Sequence, residues 1–212
     1  MEAPPRFACR RCGSKDNLLR CRDCWLNPVW CKECCLLEHA LLPFHRVEMW
    51  TGKYFQRSAL VDQGYILPLG HDGKQCPSNG KRRPSLCLLD DCNLCTETKP
   101  PQEIVIVHSN GIFIHNVHWC SCDKTAHHLQ LSSSGLFPAS MHKPSTAFTH
   151  DVLDHFHIDA LECKTTALSF FNKLRRLTDD VFPSKIKVEV FINYGSHFEL
   201  TPPNYRIDTH NY

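Results

Sequence analysis

The sequence lacks the segments that would direct it out of the cell or into a membrane. Residues 1–12 contain no apolar stretch of the kind that a secretory signal peptide carries. No window approaches the roughly 18 apolar residues that a membrane helix needs, and the best runs are fragments such as residues 104–107. We therefore expect a soluble intracellular protein with no membrane partner, in a reducing compartment that keeps thiols unpaired.

An excess of charge of one sign is missing as well. The chain carries 24 Lys and Arg against 22 Asp and Glu, which gives a formal net charge of +2. A chain this close to neutrality is not a polycation that binds nucleic acid through bulk charge.

Signatures of catalysis are also absent from the sequence. It contains no HExxH motif, no P-loop and no nucleophile elbow. Asp151, Asp154 and Asp159 are spaced as the solvated face of a helix, which is a more ordinary pattern than a catalytic set of carboxylates. We expect neither enzymatic activity nor a small-molecule substrate.

What the sequence has in unusual amount is cysteine and histidine, with 14 residues of each. An even cysteine count could indicate disulfides, but the lack of a signal peptide favours metal ligation. Residues 9–50, called here the first module, hold nine of these residues, and eight of them fall in spaced pairs. The eight are Cys9, Cys12, Cys21, Cys24, Cys31, Cys34, His39 and His45.

Eight such ligands are enough for two tetrahedral zinc sites. If neighbouring pairs shared an ion, only eight residues would separate the two cysteine pairs, which is a short return for the chain. The interleaved alternative falls within spacings typical of zinc sites. It groups Cys9, Cys12, Cys31 and Cys34 around one ion, and Cys21, Cys24, His39 and His45 around the other. We expect this interleaved arrangement and two structural ions with no open position; buried thiols or a disulfide set are the alternative.

A second, looser set of cysteine and histidine residues lies between residues 71 and 128. The spacing leaves its pairing open. One alternative joins Cys76, Cys120 and Cys122 with one histidine, for which His71 and His128 are the candidates, in a third zinc site. The other is a loop site made of Cys76, Cys87, Cys92 and Cys95. Cys35 and Cys163 are expected to be ordinary core cysteines.

Hydrophobic patterning predicts the remaining elements. Residues 46–69 suggest a short helix and then a strand, with a break at Gly64. Two β-branched runs, at residues 103–107 and 112–119, are separated by a segment ending in Asn-Gly, which predicts a β-hairpin. Residues 145–180 predict two amphipathic helices, with Ser145 and Thr165 or Thr166 as their N-caps.

We divide the chain into four segments on this basis. Residues 9–50 form the double zinc module, and residues 51–131 contain the second Cys/His cluster and the hairpin. Residues 145–180 are the helical segment, and residues 181–212 are an atypical tail, which we ascribe to an artefact of the gene model.

The order of ligands in the first module, with both histidines last, resembles that of B-box and ZZ zinc fingers, which generally bind proteins. The expected fold is therefore a small α+β zinc-binding module with a B-box- or ZZ-like cross-brace. A β-hairpin region and two or more amphipathic helices follow it.

Several blocks resemble the CxC2-like cysteine cluster of fungal KDZ (Kyakuja-Dileera-Zisupton) transposases. The first is PFHRVEMWTG at residues 43–52, followed by LGHDG at 69–73, HSNGI at 108–112 and CSC at 120–122 with HHLQL at 127–131. With the helical region that ends LRRLTD, the resemblance extends over roughly residues 9–180.

The resemblance implies a zinc-binding, non-catalytic module derived from a transposable element, which recognises DNA or chromatin in the nucleus. The RNase H-like catalytic core of such transposases would lie downstream of this region. The competing hypothesis is a B-box-like module that binds proteins and no nucleic acid. Arginines near the first cysteine pairs and the run at residues 81–83 could contact DNA, although a solvated loop is the more ordinary interpretation of so short a run. Trp25, Trp30 and Trp50 could serve a protein partner, although packing in the small zinc core is their more ordinary role.

Overall fold

The computed structural model describes residues 8–71, 76, 101–120, 122, 125–179 and 181–182. These residues form two β-sheets and four α-helices, which makes the protein a small α+β structure. In this part of the chain, no helix has the length and apolarity needed to span a bilayer.

The first sheet has four antiparallel strands in the order β2-β1-β3-β4. Its strands are β1 (Leu18–Cys21), β2 (Val29–Cys31), β3 (Val47–Trp50) and β4 (Phe55–Ser58). Helix α1 (Lys32–Glu38) follows β2 directly. Charged residues pair across the exposed face of the sheet, because Arg20 on β1 lies opposite Glu48 on β3 and binds its carboxylate at 2.6 Å.

The second sheet has five strands of mixed direction in the order β5-β7-β6-β9-β8. Its strands are β5 (Ile66–Pro68), β6 (Gln102–His108), β7 (Gly111–His118), β8 (Leu136–Pro138) and β9 (Thr146–Thr149). Strands β6 and β7 form an antiparallel hairpin, which β5 and β9 flank with parallel pairings. The predicted hairpin is therefore the centre of a larger sheet.

Three helices accompany the second sheet. They are α2 (His127–Ser133), α3 (His150–Glu162) and α4 (Ala167–Thr178). The last two are amphipathic, and α4 buries Phe170, Phe171 and Leu174 against β7 and α3. The predicted pair of amphipathic helices is present.

The two sheets share a continuous buried core, which includes Leu19 and Val47 of the first and Ile104 and Ile106 of the second. Phe44 is central to their contact, since its ring lies 4.8 Å from that of His108 and 5.8 Å from that of His115. The Phe44 carbonyl also accepts a hydrogen bond from Asn110 Nδ2 at 2.9 Å. The loop that carries His45 is therefore fixed against the hairpin.

The structure corrects three local predictions. In place of a helix within residues 46–69 there are β3, β4 and a single 3-10 turn, Val61–Gln63, that Gly64 ends with a φ of 89°. The hairpin turn consists of Ser109 and Asn110, since His108 pairs with Gly111. Gly111 follows the turn with a φ of 153°, which a residue with a Cβ rarely adopts, and a Cβ there would also lie 3.0 Å from Thr178 Oγ1.

The third correction concerns the first of the two long helices. Residues up to Thr149 belong to β9, so that the N-cap of α3 is Thr149 and not Ser145; the Thr149 hydroxyl accepts a hydrogen bond from Val152 N. For α4 the cap is Thr166, whose hydroxyl accepts from Ser169 N at 3.2 Å.

The tail beyond residue 182 lies outside the described residues. The likeness to a B-box or ZZ fold and the four-segment division remain predictions, although the first sheet extends past residue 50 through β4.

Candidate metal centres

The first candidate centre consists of Cys9, Cys12, Cys31 and Cys34, whose sulfur atoms all lie within 4.8 Å of one another. The Cys12 and Cys31 sulfurs are 3.6 Å apart. In a tetrahedral zinc site with Zn–S bonds of about 2.3 Å, the sulfurs lie about 3.8 Å apart. The spacing of the Cys12 and Cys31 sulfurs is therefore close to that of zinc ligands. Cys31 is the last residue of β2 and Cys34 lies in the first turn of α1, so regular structure sets half of the ligands.

A tight turn supplies the other half of this centre. Gly13 N donates to the Cys9 carbonyl at 2.9 Å, and Gly13 has a φ of 75°, which a residue with a Cβ rarely adopts. Burial opposes ionisation of the Cys9 thiol, but the backbone N–H groups of Cys12, Cys31 and Arg11 outweigh it and lower its pKa to about 6. Burial raises the pKa of Cys34 to about 12. A bound cation would therefore be needed to ionise the whole set.

The second candidate centre consists of Cys21, Cys24, His39 and His45, again with donor atoms within 4.8 Å of one another. His45 Nδ1 lies 3.5 Å from Cys21 Sγ and 3.4 Å from Cys24 Sγ, and His39 Nε2 lies 3.6 Å from Cys24 Sγ. Ordinary zinc bonds to nitrogen and sulfur place such donors about 3.6 Å apart in a tetrahedron. Burial lowers the pKa of both histidines, so each is the neutral imidazole that a metal requires.

Neighbouring groups orient the ligands of this second centre. His39 is fully buried, and its Nδ1 lies 2.8 Å from the Cys35 carbonyl, so Nδ1 carries the proton and Nε2 is left for a metal. Asp23, between the two cysteines, accepts hydrogen bonds from Arg46 N at 2.6 Å and Arg46 Nη2 at 2.5 Å. Burial opposes ionisation of Asp23, but the bonds from Arg46 hold its pKa below the usual value. The ion pair between Asp23 and Arg46 therefore links the segment that carries Cys21 and Cys24 to the segment that carries His45.

The third candidate centre consists of His71, Cys76, Cys120 and Cys122. Cys76 Sγ lies 3.6 Å from Cys120 Sγ and 3.4 Å from Cys122 Sγ, and His71 Nε2 lies 3.2 Å from Cys120 Sγ. The parallel pairing of β5 and β7 explains the meeting, because it places the carboxyl ends of both strands at one edge of the sheet. His71 follows β5 there, and Cys120 follows β7.

The histidine at the third centre is His71, and the alternative, His128, is not in the group. His127 stacks on Trp119 at a centroid distance of 4.0 Å. Cys87, Cys92 and Cys95 of the alternative loop site lie outside the described residues, while Cys76, which both alternatives used, lies beside Cys120 and Cys122.

The remaining cysteines divide between interior and surface. Cys35 is buried as predicted, but Cys163 is exposed at the end of α3, which corrects its assignment to the core. Cys163 is the C-cap of α3, whereas the buried residue of this helix, Val152, lies near its other end. The C-terminal end of the helix is therefore open to solvent.

Each centre offers four nitrogen or sulfur donors, which would fill the coordination sphere of zinc. Such an ion would hold the chain together and would have no open position at which to activate water. Exposure differs both within and between the centres: Cys21 and His39 of the second are fully buried, Cys12 of the first is exposed, and at the third His71 and Cys122 are exposed while Cys76 is buried.

The residues that support the ligands were not anticipated from the sequence. Asp23 and Arg46 carry a weak signal, because opposite charges adjoin ligand-type residues at Cys24 and His45. Gln130 carries none; its amide binds the backbone of Cys120 only because α2 brings it there.

The tryptophans and arginines proposed for recognition differ in their exposure to solvent. Trp30 is buried, Trp50 is half-buried and Trp25 is 87% exposed. Arg10, Arg11 and Arg22 are exposed, although Arg11 pairs with Glu38 at 3.1 Å and Arg22 lies 3.8 Å from Glu48. Arg20 is more tightly held by Glu48 and lies 4.1 Å over the Phe55 ring. The basic run at residues 81–83 lies outside the described residues.

Comparison with protein families gives one match. The family described as the CxC2-like cysteine cluster associated with KDZ transposases matches residues 60–181, more than half of the chain. This range contains the third centre and α2 through α4, while the two centres of the first module precede it. Neither curated proteins nor solved structures gave a significant match.

Proposed function

Because the chain belongs to the family of CxC2-like cysteine clusters associated with KDZ transposases, we propose that it is a non-catalytic zinc protein derived from such a transposase. The family is a cysteine-cluster domain and is not itself the catalytic core. One observation carries the proposal of zinc: within the described part of the chain, cysteine and histidine side chains form three groups of four, each with its donor atoms within 4.8 Å of one another.

Zinc is the ion that this donor chemistry favours. Thiolate and imidazole in groups of four are typical of structural zinc sites, whereas calcium and magnesium require oxygen ligands. Native mass spectrometry of the full chain with metal analysis tests the proposal, and three zinc ions per chain are expected. Two ions would limit zinc to the first module, and none would reject the proposal.

We further propose that the zinc-stabilised protein recognises DNA or chromatin in the nucleus. The association of the family with transposases supports this role. A second support is the position of Arg10 and Arg22, which are exposed beside the first two centres and could contact phosphates.

A salt series tests binding to DNA. The zinc-loaded chain is titrated into a labelled duplex, and the logarithm of the affinity should fall linearly with the logarithm of the salt concentration. Arg10→Gln and Arg22→Gln should each weaken binding and reduce this slope by about 1, while Lys164→Gln serves as a distant control. Binding that is insensitive to salt, or to both arginine variants, would contradict a DNA role.

Exposed apolar residues favour protein binding as the second candidate function. Trp25 and Leu26 follow Cys24 and are 87% and 72% exposed, and Leu41, between the two histidine ligands, is 78% exposed. Exposed aromatic residues often anchor protein interfaces. Proteins retained from nuclear extract by the wild type and by Leu161→Ser, but lost with Trp25→Ser at unchanged zinc content, would support this function. Retention of every partner by Trp25→Ser would argue against it.

A further inference from the structure

We propose that Gln130 is the positioning residue of the third metal centre, an inference that rests on the proposed binding of zinc there. Gln130 lies on α2 and is only 5% exposed. Its side-chain amide makes three hydrogen bonds. Oε1 accepts from Cys120 N at 2.8 Å, and Nε2 donates to the Cys120 carbonyl at 3.0 Å and to the Thr125 carbonyl at 2.9 Å.

The Gln130 side chain binds both the backbone N–H and the backbone carbonyl of the ligand Cys120. Strand β7 ends at His118 and α2 begins at His127, so neither a strand ladder nor a helix supplies partners for Cys120. The amide of Gln130 takes the place of a neighbouring strand and fixes the peptide planes on both sides of the Cys120 Cα.

The orientation of Cys120 affects the next ligand too. Only one residue separates Cys120 from Cys122, and Cys122 N lies 3.4 Å from Cys120 Sγ, to which it donates. A rotation of the Cys120 backbone would therefore move both sulfurs away from Cys76 and His71. The hydrogen bond to the Thr125 carbonyl fixes a second point of the backbone, so Gln130 holds the chain on both sides of Cys122.

The helix that carries Gln130 is itself anchored. Leu131, the next residue, is fully buried in the core shared by the two sheets, and α2 packs on β8. The third centre depends on this support more than the others do, because among the described residues none of its four ligands lies within a β-strand or an α-helix.

The test compares zinc affinity at the third centre in two variants and one control. Gln130→Met preserves side-chain length and removes all three hydrogen bonds, whereas Gln130→Glu keeps an acceptor for Cys120 N and loses both donors. Gln63→Met is the matched control, because the Gln63 amide binds only the Ser58 hydroxyl among the described residues. Zinc is titrated against a chromophoric chelator, and alkylation followed by peptide mass mapping identifies the cysteines that each ion protects.

Loss of such supporting hydrogen bonds typically weakens metal affinity by 10- to 100-fold. We expect a loss of this size for protection of Cys76, Cys120 and Cys122 in Gln130→Met, and a smaller loss in Gln130→Glu. Protection of Cys9 and Cys21 should stay at the wild-type level, which shows that the variants are folded. The cobalt form should also show an altered thiolate-to-metal absorption band, which a change in stability alone would not produce.

The outcomes separate the two proposals. If zinc does not protect these three cysteines in the wild type, the third zinc site is wrong and Gln130 has nothing to position. If the wild type is protected and Gln130→Met binds zinc with equal affinity, the site stands and the role of Gln130 is overturned.

Discussion

The first module and the third centre present similar sets of cysteine and histidine donors on different structural supports. In the first module, Cys21, Cys31 and Cys34 belong to strands or to a helix, and these elements are so short that zinc would in turn hold them in place. At the third centre His71 and Cys120 follow β5 and β7, no described ligand belongs to a β-strand or an α-helix, and Gln130 supplies the support. The comparison teaches that a similar donor set can either build a fold or fasten a fold that other forces already hold.

Burial expresses the same difference. Among the first-module ligands, Cys9, Cys31 and Cys34 are 3%, 4% and 7% exposed and form part of the continuous hydrophobic core, although Cys12 is exposed. The hairpin contributes to that core as well, but it also packs with β9, α3 and α4 in a second buried cluster that contains no candidate ligand. We therefore expect metal to govern the stability of the first sheet far more than that of the second.

Metal removal should break the comparison most clearly. In excess chelator and reductant, amides of β1 and β3 should exchange as in an unfolded chain, because structural zinc contributes on the order of 10 kcal/mol per site. Amides of β6 and β7 should keep measurable protection. Hydrogen exchange read by mass spectrometry gives both values, and protection of β1 that survives chelation would show that the first sheet folds without metal.

Single ligand substitutions should reproduce this contrast at smaller scale. Cys34→Ser removes a buried ligand of the first centre and should lower the free energy of unfolding by more than about 4 kcal/mol. Cys122→Ser removes an exposed ligand and should release the third ion with little change in unfolding of the first sheet. Thermal unfolding together with zinc content distinguishes the two. Equal destabilisation by both variants would contradict the difference drawn here.

The contact between the two regions should be sensitive to acid through His115. Its side chain is buried between the Phe44, Tyr65 and Phe113 rings, and the only compensation for burial of its charge is a weak hydrogen bond to the Pro43 backbone among the described residues. Burial lowers its pKa from 6.5 to about 4, so the unfolded chain takes up the proton first as the pH falls. The contribution of His115 to stability is complete above pH 6.5 and declines between about pH 6.5 and 4, by at most about 3 kcal/mol.

His115→Phe isolates this effect from the acid release of zinc. Chemical unfolding of both proteins at matched zinc concentrations should give curves that diverge in this pH range, with the wild type losing more stability. Curves that remain parallel from pH 7 to 4 would show that His115 does not drive the change.

The smallest expected effect concerns the start of α4. Thr166→Ala removes the hydroxyl that accepts from Ser169 N, and loss of such a cap costs about 1 kcal/mol. Thr165→Ala, one residue earlier, should change the free energy of unfolding by much less. Urea unfolding measures both, and equal effects would contradict the assignment of the cap.

Features set by nearby residues could be predicted from the sequence. The cysteine spacings in the first module fall into the groups that the structure brings together, because a short chain segment can group four pairs of ligand-type residues in only a few ways. The hairpin, α3 and α4 were also predicted, since each carries its own period or turn signal. The family inferred from conserved-looking blocks such as residues 108–112 is confirmed by the match.

Features that depend on distant partners could not be predicted. His71 rather than His128 joins Cys120 because β5 runs parallel to β7, and nothing in the local sequence of β5 specifies that partner. The sequence pattern predicts too early a start for α3, because the spacing of Phe148 fits the apolar face of the helix. In the structure Phe148 belongs to β9 and pairs with β8. Helix α1 was missed because its seven residues are too few to show a period.

The interleaving of the first two centres has a consequence for synthesis on the ribosome. The chain has delivered half of the second ligand set, Cys21 and Cys24, before the first set is completed at Cys34. No stretch shorter than Cys9 to His45 contains both sets, so a nascent or proteolysed piece that stops earlier carries unmatched thiols. Quality control that recognises reactive cysteine would therefore have a clear signal by which to distinguish finished from unfinished copies.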